Sequence, residues 1–450
     1  MGLQLFVCLA LSVSAAMAQT AGFDGHWLGA LEVGPTKLRL ALHIEKAADG
    51  SLSGKMDSID QGASGIPLSA VTLAEKAVSF TVPAIRGGYK GTLNASADAI
   101  EGEWSQGPNS LPLSFKRTTG VVDTSKPQDP KKPYPYEERE VTYENPVQGN
   151  KLAGTLTLPK GRTGVPAVIL ISGSGPQNRD CAIFGHKLFL VLADHLTRKG
   201  IAVLRVDDRG VGGSTAVSGS TTLDFAKDVL AGVEFLKKVP EVNKAQIGLI
   251  GQSEGGIIAP VVASQSKDIA FIVMLAGPGV PGDQVLYEQA AAIIRVNGGG
   301  DEQIAANRQV QEKIFALVKS DLDDAAVREK VKDVAGAAQA ASAGNPWFRT
   351  FVKLDPRDYL KKVSCPVLAL NGELDLQVLP KQNLPEIEKA LKEGGNKDFR
   401  TATLPKLNHL MQTAKTGSIA EYAQSSETMA PLAMNTISDW ILEKTTQKGK

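Results

Sequence analysis

Cysteine and histidine are scarce in this chain, three and five in 450 residues. Cys8 falls in an apolar leader, so at most one disulfide is open, between Cys181 and Cys365. Cys365 opens an apolar strand, and two free thiols are the expectation even in an oxidising compartment. Net charge of one sign is missing as well. The formal charge is +1, which gives no electrostatic case for nucleic acid or polyanion binding. The basic end Lys444–Lys450 is short and reads as a solvated tail. Long apolar runs are confined to residues 1–18, too short to span a bilayer comfortably, and no stable membrane insertion is expected elsewhere. The phosphate-binding pattern G-x-x-x-x-G-K-[ST] does not occur.

At this length two or three domains are expected. Residues 1–18 are apolar and end in Ala16-Met17-Ala18 before Gln19. That pattern reads as a secretory signal peptide without the usual basic start, and implies a soluble secreted or periplasmic protein. Residues 20–118 alternate in short runs, such as Leu38–Ile44 and Ala77–Val82, punctuated by Gly, Asn, Asp and Ser. This is the pattern of a small all-β barrel or sandwich, with Trp27 and Trp104 as core residues. Residues 119–137 are rich in Pro, Lys and Asp and read as a linker. From 138 to 447 apolar strands alternate with helical patterns, which implies a mostly parallel sheet covered on both faces. Residues 283–360 interrupt that alternation with Ala-, Gln- and Lys-rich helical periodicity and are expected to form an inserted helical cap, in which Trp347 and Phe348 wall a pocket or pack within the cap.

The chemistry concentrates at Gly251-Gln252-Ser253-Glu254-Gly255-Gly256. An apolar strand, Ile247–Ile250, precedes it and an apolar helix-like run, Ile257–Ala263, follows. G-x-S-x-G on a sharp strand-to-helix turn presents a serine hydroxyl at the carboxyl end of a sheet, and the glycines let strand and helix approach closely. A serine hydroxyl needs a general base. With the order serine, acid, histidine, His409 is the one candidate, because no other histidine follows Ser253. The acid is expected at Asp375, on the loop that leaves the apolar strand Pro366–Leu370, with Glu373 on the same loop as the runner-up. Oxyanion donors are expected from the backbone N–H groups of Glu254 and of Ser174, in the loop Ser172-Gly173-Ser174-Gly175 after the strand Val165–Ile171, with Gly175 close behind.

These pieces together resemble the α/β-hydrolase superfamily, and within it bacterial two-domain carboxylesterases of the serine aminopeptidase-like branch. The matching motifs are SGSGPQNRD (Ser172–Asp180), DDRGVGGS (Asp207–Ser214), GQSEGG (Gly251–Gly256), GELD (Gly372–Asp375) and Asn408-His409. The resemblance implies an α/β-hydrolase fold with a helical cap, an acyl-enzyme route for ester hydrolysis, a small-molecule ester substrate, and neither cofactor nor metal. It implies nothing of the oligomeric state. Asp207-Asp208-Arg209-Gly210 reads as carrying a buried Asp–Arg pair that holds loops near the site rather than a catalytic group. His186 and His195 fall in the helical pattern Phe184–Lys199 and read as packed residues, with His186 near enough to the oxyanion loop to line the pocket. An aminopeptidase or amidase on the same scaffold needs an acidic grip for the substrate amine, for which Glu254 and Asp355 are the candidates. A non-catalytic binding protein is the third reading, against which the intact order of the triad argues.

Overall fold

The computed structural model describes residues 22–33, 36–61, 63–107, 109–120 and 125–446. The signal-peptide reading, Cys8 and residues 121–124 of the linker lie outside them. The chain divides into two compact units with the boundary between residues 124 and 125.

The first unit is one antiparallel sheet of nine strands: β1 (Gly25–Val33), β2 (Thr36–Lys46), β3 (Leu52–Ser58), β4 (Ala63–Pro67), β5 (Ser69–Ala74), β6 (Ala77–Val82), β7 (Gly87–Leu93), β8 (Ala99–Gln106) and β9 (Asn109–Thr118). Their order is β4-β3-β2-β1-β9-β8-β7-β6-β5. The end strand β5 lies against β3, and between β4 and β5 the Leu68 N–H donates to the Gly54 carbonyl at 3.0 Å, so the sheet curls on itself. Period-2 alternation does the sorting. Val78, Phe80 and Val82 of β6 face inward while Ala77 and Thr81 face water, as a strand with one wet face requires. Trp27, Tyr89, Trp104 and Phe115 fill the interior. The Trp27 indole N–H is satisfied by the Phe23 carbonyl at 2.9 Å.

The second unit carries an eight-stranded sheet of order β10-β11-β15-β12-β16-β17-β18-β19. Its strands are β10 (Glu137–Glu144), β11 (Lys151–Leu158), β12 (Val165–Ile171), β15 (Ala202–Val206), β16 (Val242–Gln252), β17 (Phe271–Leu275), β18 (Val367–Gly372) and β19 (Phe399–Leu404). A two-residue hairpin, β13 (Ala182–Ile183) with β14 (His186–Lys187), stands apart. The first two strands pair antiparallel, and the five pairings from β15 to β19 are parallel. All five residues of β17 are buried, which is why the parallel strands read as continuous apolar runs rather than alternating ones. Even these strands sort their side chains by face. Ile169, Ile171 and Leu249 join a core with α2 (Thr222–Leu236), α3 (Gly255–Gln265) and α10 (Pro380–Glu393). Val168, Leu170 and Ile250 join another with α1 (Leu188–Arg198) and α12 (Pro431–Thr446).

Between β17 and its neighbour β18 the chain leaves the sheet as six helices: α4 (Gly282–Val296), α5 (Asp301–Lys319), α6 (Asp324–Ala335), α7 (Ala337–Ala343), α8 (Pro346–Lys353) and α9 (Arg357–Leu360). Asn345 starts α8 by accepting the Trp347 N–H at 2.9 Å, with Pro346 at the first helical position, where its missing N–H costs nothing. A further short helix, α11 (Ala420–Gln424), lies in the loop before α12.

Three expectations need correction. Residues 125–136, read as linker, are bonded into the second unit. The Lys126 ammonium donates to the carbonyls of Ala423 and Ser425 at 3.1 and 2.8 Å. The Gln128 amide bridges Thr428 and Met429, and the buried Tyr136 donates its hydroxyl to Asp194 at 2.9 Å. Low apolar content marked this stretch as tether, but its side chains are satisfied by backbone groups, which composition does not reveal. Secondly, the helical pattern of Phe184–Lys199 starts late. Cys181, Phe184 and Gly185 have φ of +48°, +52° and +77°, so a hairpin precedes α1. Thirdly, the buried Asp–Arg pairing does not close within Asp207-Asp208-Arg209 but runs from Asp207 to Arg179 and from Arg209 to Asp228. Neighbours on a loop point apart, and each finds a partner elsewhere, as described below.

Candidate active site

Ser253 sits between β16 and α3 with φ of +55°, the left-handed region that costs a residue with a Cβ roughly 1 kcal/mol or more. The surroundings hold it there. Its N–H donates to the Leu275 carbonyl at 2.8 Å and its carbonyl accepts from Gly256 N–H at 2.8 Å. A Cβ at Gly251 would stand 1.9 Å from the Gly255 carbonyl oxygen, and one at Gly255 would stand 2.3 Å from that of Ile171. Both positions therefore require glycine, and the turn cannot form this tightly without them.

His409 and Asp375 arrive from two separate loops. Asp375 follows β18, where its Oδ1 accepts the backbone N–H groups of Gln377 and Val378 at 2.8 and 2.9 Å. His409 follows β19. There the Asn408 carboxamide oxygen accepts from Leu410 and Gln412 N–H at 3.0 and 2.9 Å and folds the turn. The His409 Nδ1 lies 2.9 Å from Asp375 Oδ2 and 3.1 Å from Oδ1, and both residues are buried. The Gln252 amide nitrogen stands 3.4 Å from His409 Nε2. A carboxylate on Nδ1 and an N–H donor toward Nε2 select one tautomer, with the proton on Nδ1 and the lone pair on Nε2, which is the form a general base needs. Glu373 is placed elsewhere: its carboxylate accepts the Lys406 N–H at 2.8 Å.

The loop of Ser172–Pro176 lies directly against Ser253. A Cβ on Gly173 would be 3.1 Å from the Ser253 Cβ. Among the described residues, neither the Ser174 N–H nor the Glu254 N–H donates to another backbone or side-chain group. The loop is pinned from behind by the Asp207-Asp208 pair. Asp208 accepts the Ser172 hydroxyl at 2.8 Å and the Gln177 N–H at 2.9 Å. Asp207 accepts the Arg179 N–H at 2.8 Å and its guanidinium at 2.7 Å. Arg209 turns away to form a bidentate pair with Asp228 at 2.5 and 2.9 Å. Burial pushes the Asp208 carboxyl up to about 7, against the pull of Ser172 and Gln177, and the neighbouring Glu254 and Asp207 charges add to the rise. Burial also opposes ionisation of Asp207, but the Arg179 guanidinium and amide outweigh it and hold that carboxyl below its ordinary value.

Ser253, His409, Gly173 and Ser174 open on one cavity of about 350 Å³. Val285, Leu286, Trp347, Phe348 and Phe351 of the helical segment line it, together with Phe184, Tyr422 and the amides of Gln177, Gln289 and Gln377. Among the described residues, no lysine, arginine, aspartate or glutamate lines it. The two candidates for an amine grip are occupied elsewhere. Asp355 forms a bidentate pair with Arg357. Glu254 is buried under Thr222, Trp347 and Ser174. Sequence reasoning missed Gln252 and the Trp347–Glu254 contact, neither of which has a spacing signature. The remaining histidines are structural. His186 is fully buried between the Thr428 hydroxyl and the Tyr422 carbonyl, each at 2.9 Å, and does not line the cavity. Burial and the nearby Lys126 charge lower it to about 4, so it stays neutral. His195 meets Ser438 at 3.1 Å, and in the first unit His26 meets His43, which in turn meets Asp57. Cys181 and Cys365 are not joined by a disulfide. Among the described residues there is no cluster of His, Cys, Asp and Glu fit to hold a metal ion, and no helix is long and apolar enough to cross a membrane.

Residues 186–414, about half of the chain, match the family described as serine aminopeptidase, S33 (Hydrolase_4). The chain belongs to this hydrolase family. The match to Hydrolase_4 contains Ser253, Asp375 and His409 and begins after the loop of Ser172–Pro176. A curated relative, esterase EstD of Thermotoga maritima, is 30% identical over 286 residues, which are 62% of this chain and 61% of that protein. The chain thus spans about three fifths of that relative's length. Similar solved structures include esterase Pf2001 of Pyrococcus furiosus, with 17% identity and a TM-score of 0.44 over 69% of this chain and 91% of that one. Est1E of Butyrivibrio proteoclasticus has 19% identity and a TM-score of 0.41 over 68% and 99%.

Proposed function

We propose that this Hydrolase_4 member is a serine esterase that cleaves small, uncharged carboxylic esters through an acyl-enzyme. Ser253 Oγ attacks the ester carbonyl as His409 Nε2 takes its proton. Asp375 holds the imidazole and stabilises the imidazolium that forms. The N–H groups of Ser174 and Glu254 donate to the oxyanion. The tetrahedral intermediate collapses, the C–O bond to the alcohol breaks, and His409 returns the proton to the departing oxygen. Water then repeats the sequence on the acyl-enzyme and releases the acid. The leader at residues 1–18 supports export to the periplasm or medium as part of this reading, and detection of a processed chain beginning at Gln19 tests that part.

One observation carries the choice of ester over peptide: the cavity that holds Ser253 and His409 is lined by apolar, aromatic and amide side chains and by no charged one. An aminopeptidase must hold an α-ammonium, and a cation moved from water into such a lining without a carboxylate loses several kcal/mol of solvation. The test is a panel of p-nitrophenyl esters against aminoacyl p-nitroanilides. Ester turnover with kcat/KM at least a hundredfold above every anilide is expected. Anilides hydrolysed as fast as esters would overturn the reading.

A further inference from the structure

The mechanism uses the Glu254 backbone and leaves its side chain without a task. That side chain is costly to keep. It is 2% exposed, no cation among the described residues bonds to it, and burial raises its carboxyl above the ordinary range. A buried ionisable group without a counter-charge is retained where its hydrogen bonds do something. Here they join three separate parts of the site. Oε1 accepts the hydroxyl of Thr222, the first residue of α2, at 2.7 Å. The same oxygen accepts the indole N–H of Trp347, in α8, at 2.8 Å. The Ser174 hydroxyl lies near enough to the carboxylate to favour its ionised form. Ser174 and Glu254 are the two residues whose amides face the oxyanion, and Trp347 is a wall of the acyl cavity.

We propose that the Glu254 side chain is a positioning residue, a latch that fixes the elbow and its Glu254 amide against α2 and seats the helical cap on them through Trp347. The inference rests on the esterase reading above. Oxyanion donors act within a few tenths of an ångström. An elbow whose side chain is bonded to both α2 and α8 keeps its amide aligned in a way that a free elbow does not. The latch also links the occupancy of the cavity to that alignment, because a bound acyl group presses on the ring whose N–H meets Glu254.

The test compares Glu254→Gln, Glu254→Leu and Trp347→Phe on p-nitrophenyl butyrate. Gln keeps a carbonyl oxygen for Thr222 and Trp347, so kcat within about fivefold of wild type is expected. Leu fills the space without any acceptor, and kcat should fall roughly a hundredfold, the scale of a misplaced oxyanion donor, with KM changed less than about threefold. Trp347→Phe keeps a smaller aromatic ring in the wall and removes the N–H, and roughly a tenfold loss of kcat is expected. All three should still accept one phosphonate per chain at Ser253. A folded Leu variant with kcat within twofold of wild type overturns the latch while leaving the esterase reading standing. If the Leu variant does not fold, an unchanged kcat in Trp347→Phe overturns it instead. A wild-type protein that hydrolyses no ester overturns the esterase reading and the latch together.

Discussion

Asp375→Asn isolates the tautomer argument because the surroundings dictate how the new amide must sit. Two backbone N–H groups, of Gln377 and Val378, point at Oδ1 from 2.8 and 2.9 Å. Only an oxygen can accept both, so the asparagine oxygen takes that position and its NH2 takes that of Oδ2, 2.9 Å from His409 Nδ1. Two N–H donors cannot face each other, so the imidazole must give up its Nδ1 proton and carry it on Nε2. The nitrogen that should accept the Ser253 proton is then already protonated, and it also confronts the Gln252 amide at 3.4 Å. The equivalent change in a serine protease triad costs about 10⁴ in kcat, or about 5.5 kcal/mol of barrier. The same scale is expected here, with KM nearly unchanged. Glu373→Gln is the control from the same loop. Its partner is the Lys406 amide at 2.8 Å, and kcat should stay within about threefold. Steady-state hydrolysis of p-nitrophenyl butyrate, with circular dichroism to verify folding, measures both. A folded Asp375→Asn variant retaining a tenth of wild-type kcat, or a larger loss in Glu373→Gln, would refute the reasoning.

Two further outcomes follow from the surroundings of the site. Asp208 is raised from 3.8 to about 7, so the folded protein binds its proton more tightly than the unfolded chain, and the stability this gives is present at low pH and lost as pH climbs toward 7. Asp208→Asn mimics the protonated acid, so it should raise Tm at pH 8 by a few degrees and change it little at pH 4; a variant equally affected at both pH values would exclude the buried-acid assignment. A chain starting at residue 125 should keep Ser253 reactive to a fluorophosphonate, whereas one starting at 137 loses the Lys126, Gln128 and Tyr136 bonds to the second unit and should unfold several degrees lower, at about 1 kcal/mol per bond. Identical melting of the two truncations would show that residues 125–136 are a tether after all.

The meeting of His409 with Asp375, and its cavity shared with Ser253, was legible because each expected residue follows from a strong constraint. The elbow needs glycines where strand and helix nearly touch, the acid must leave a buried strand, and one histidine remains after the nucleophile. The contacts that orient these residues were not legible. Gln252 meets His409, and Trp347 reaches Glu254, across elements far apart in sequence, and no periodicity encodes such a meeting. Adjacency misled at Asp207 and Arg209, which a loop sends to Arg179 and Asp228. Composition misled at residues 125–136, because polar side chains that bond to carbonyls look the same in a sequence as polar side chains in water.

The central claim is that Ser253 is the nucleophile of an ester hydrolase, and active-site labelling tests it most directly. A fluorophosphonate should attach once per chain of wild-type protein, with the peptide carrying Ser253 as the site of modification. Ser253→Ala should fold with unchanged circular dichroism, take up no probe, and lose about three orders of magnitude or more of ester turnover. A folded Ser253→Ala protein that still hydrolyses esters at the wild-type rate, or a probe found on another serine, would contradict the account.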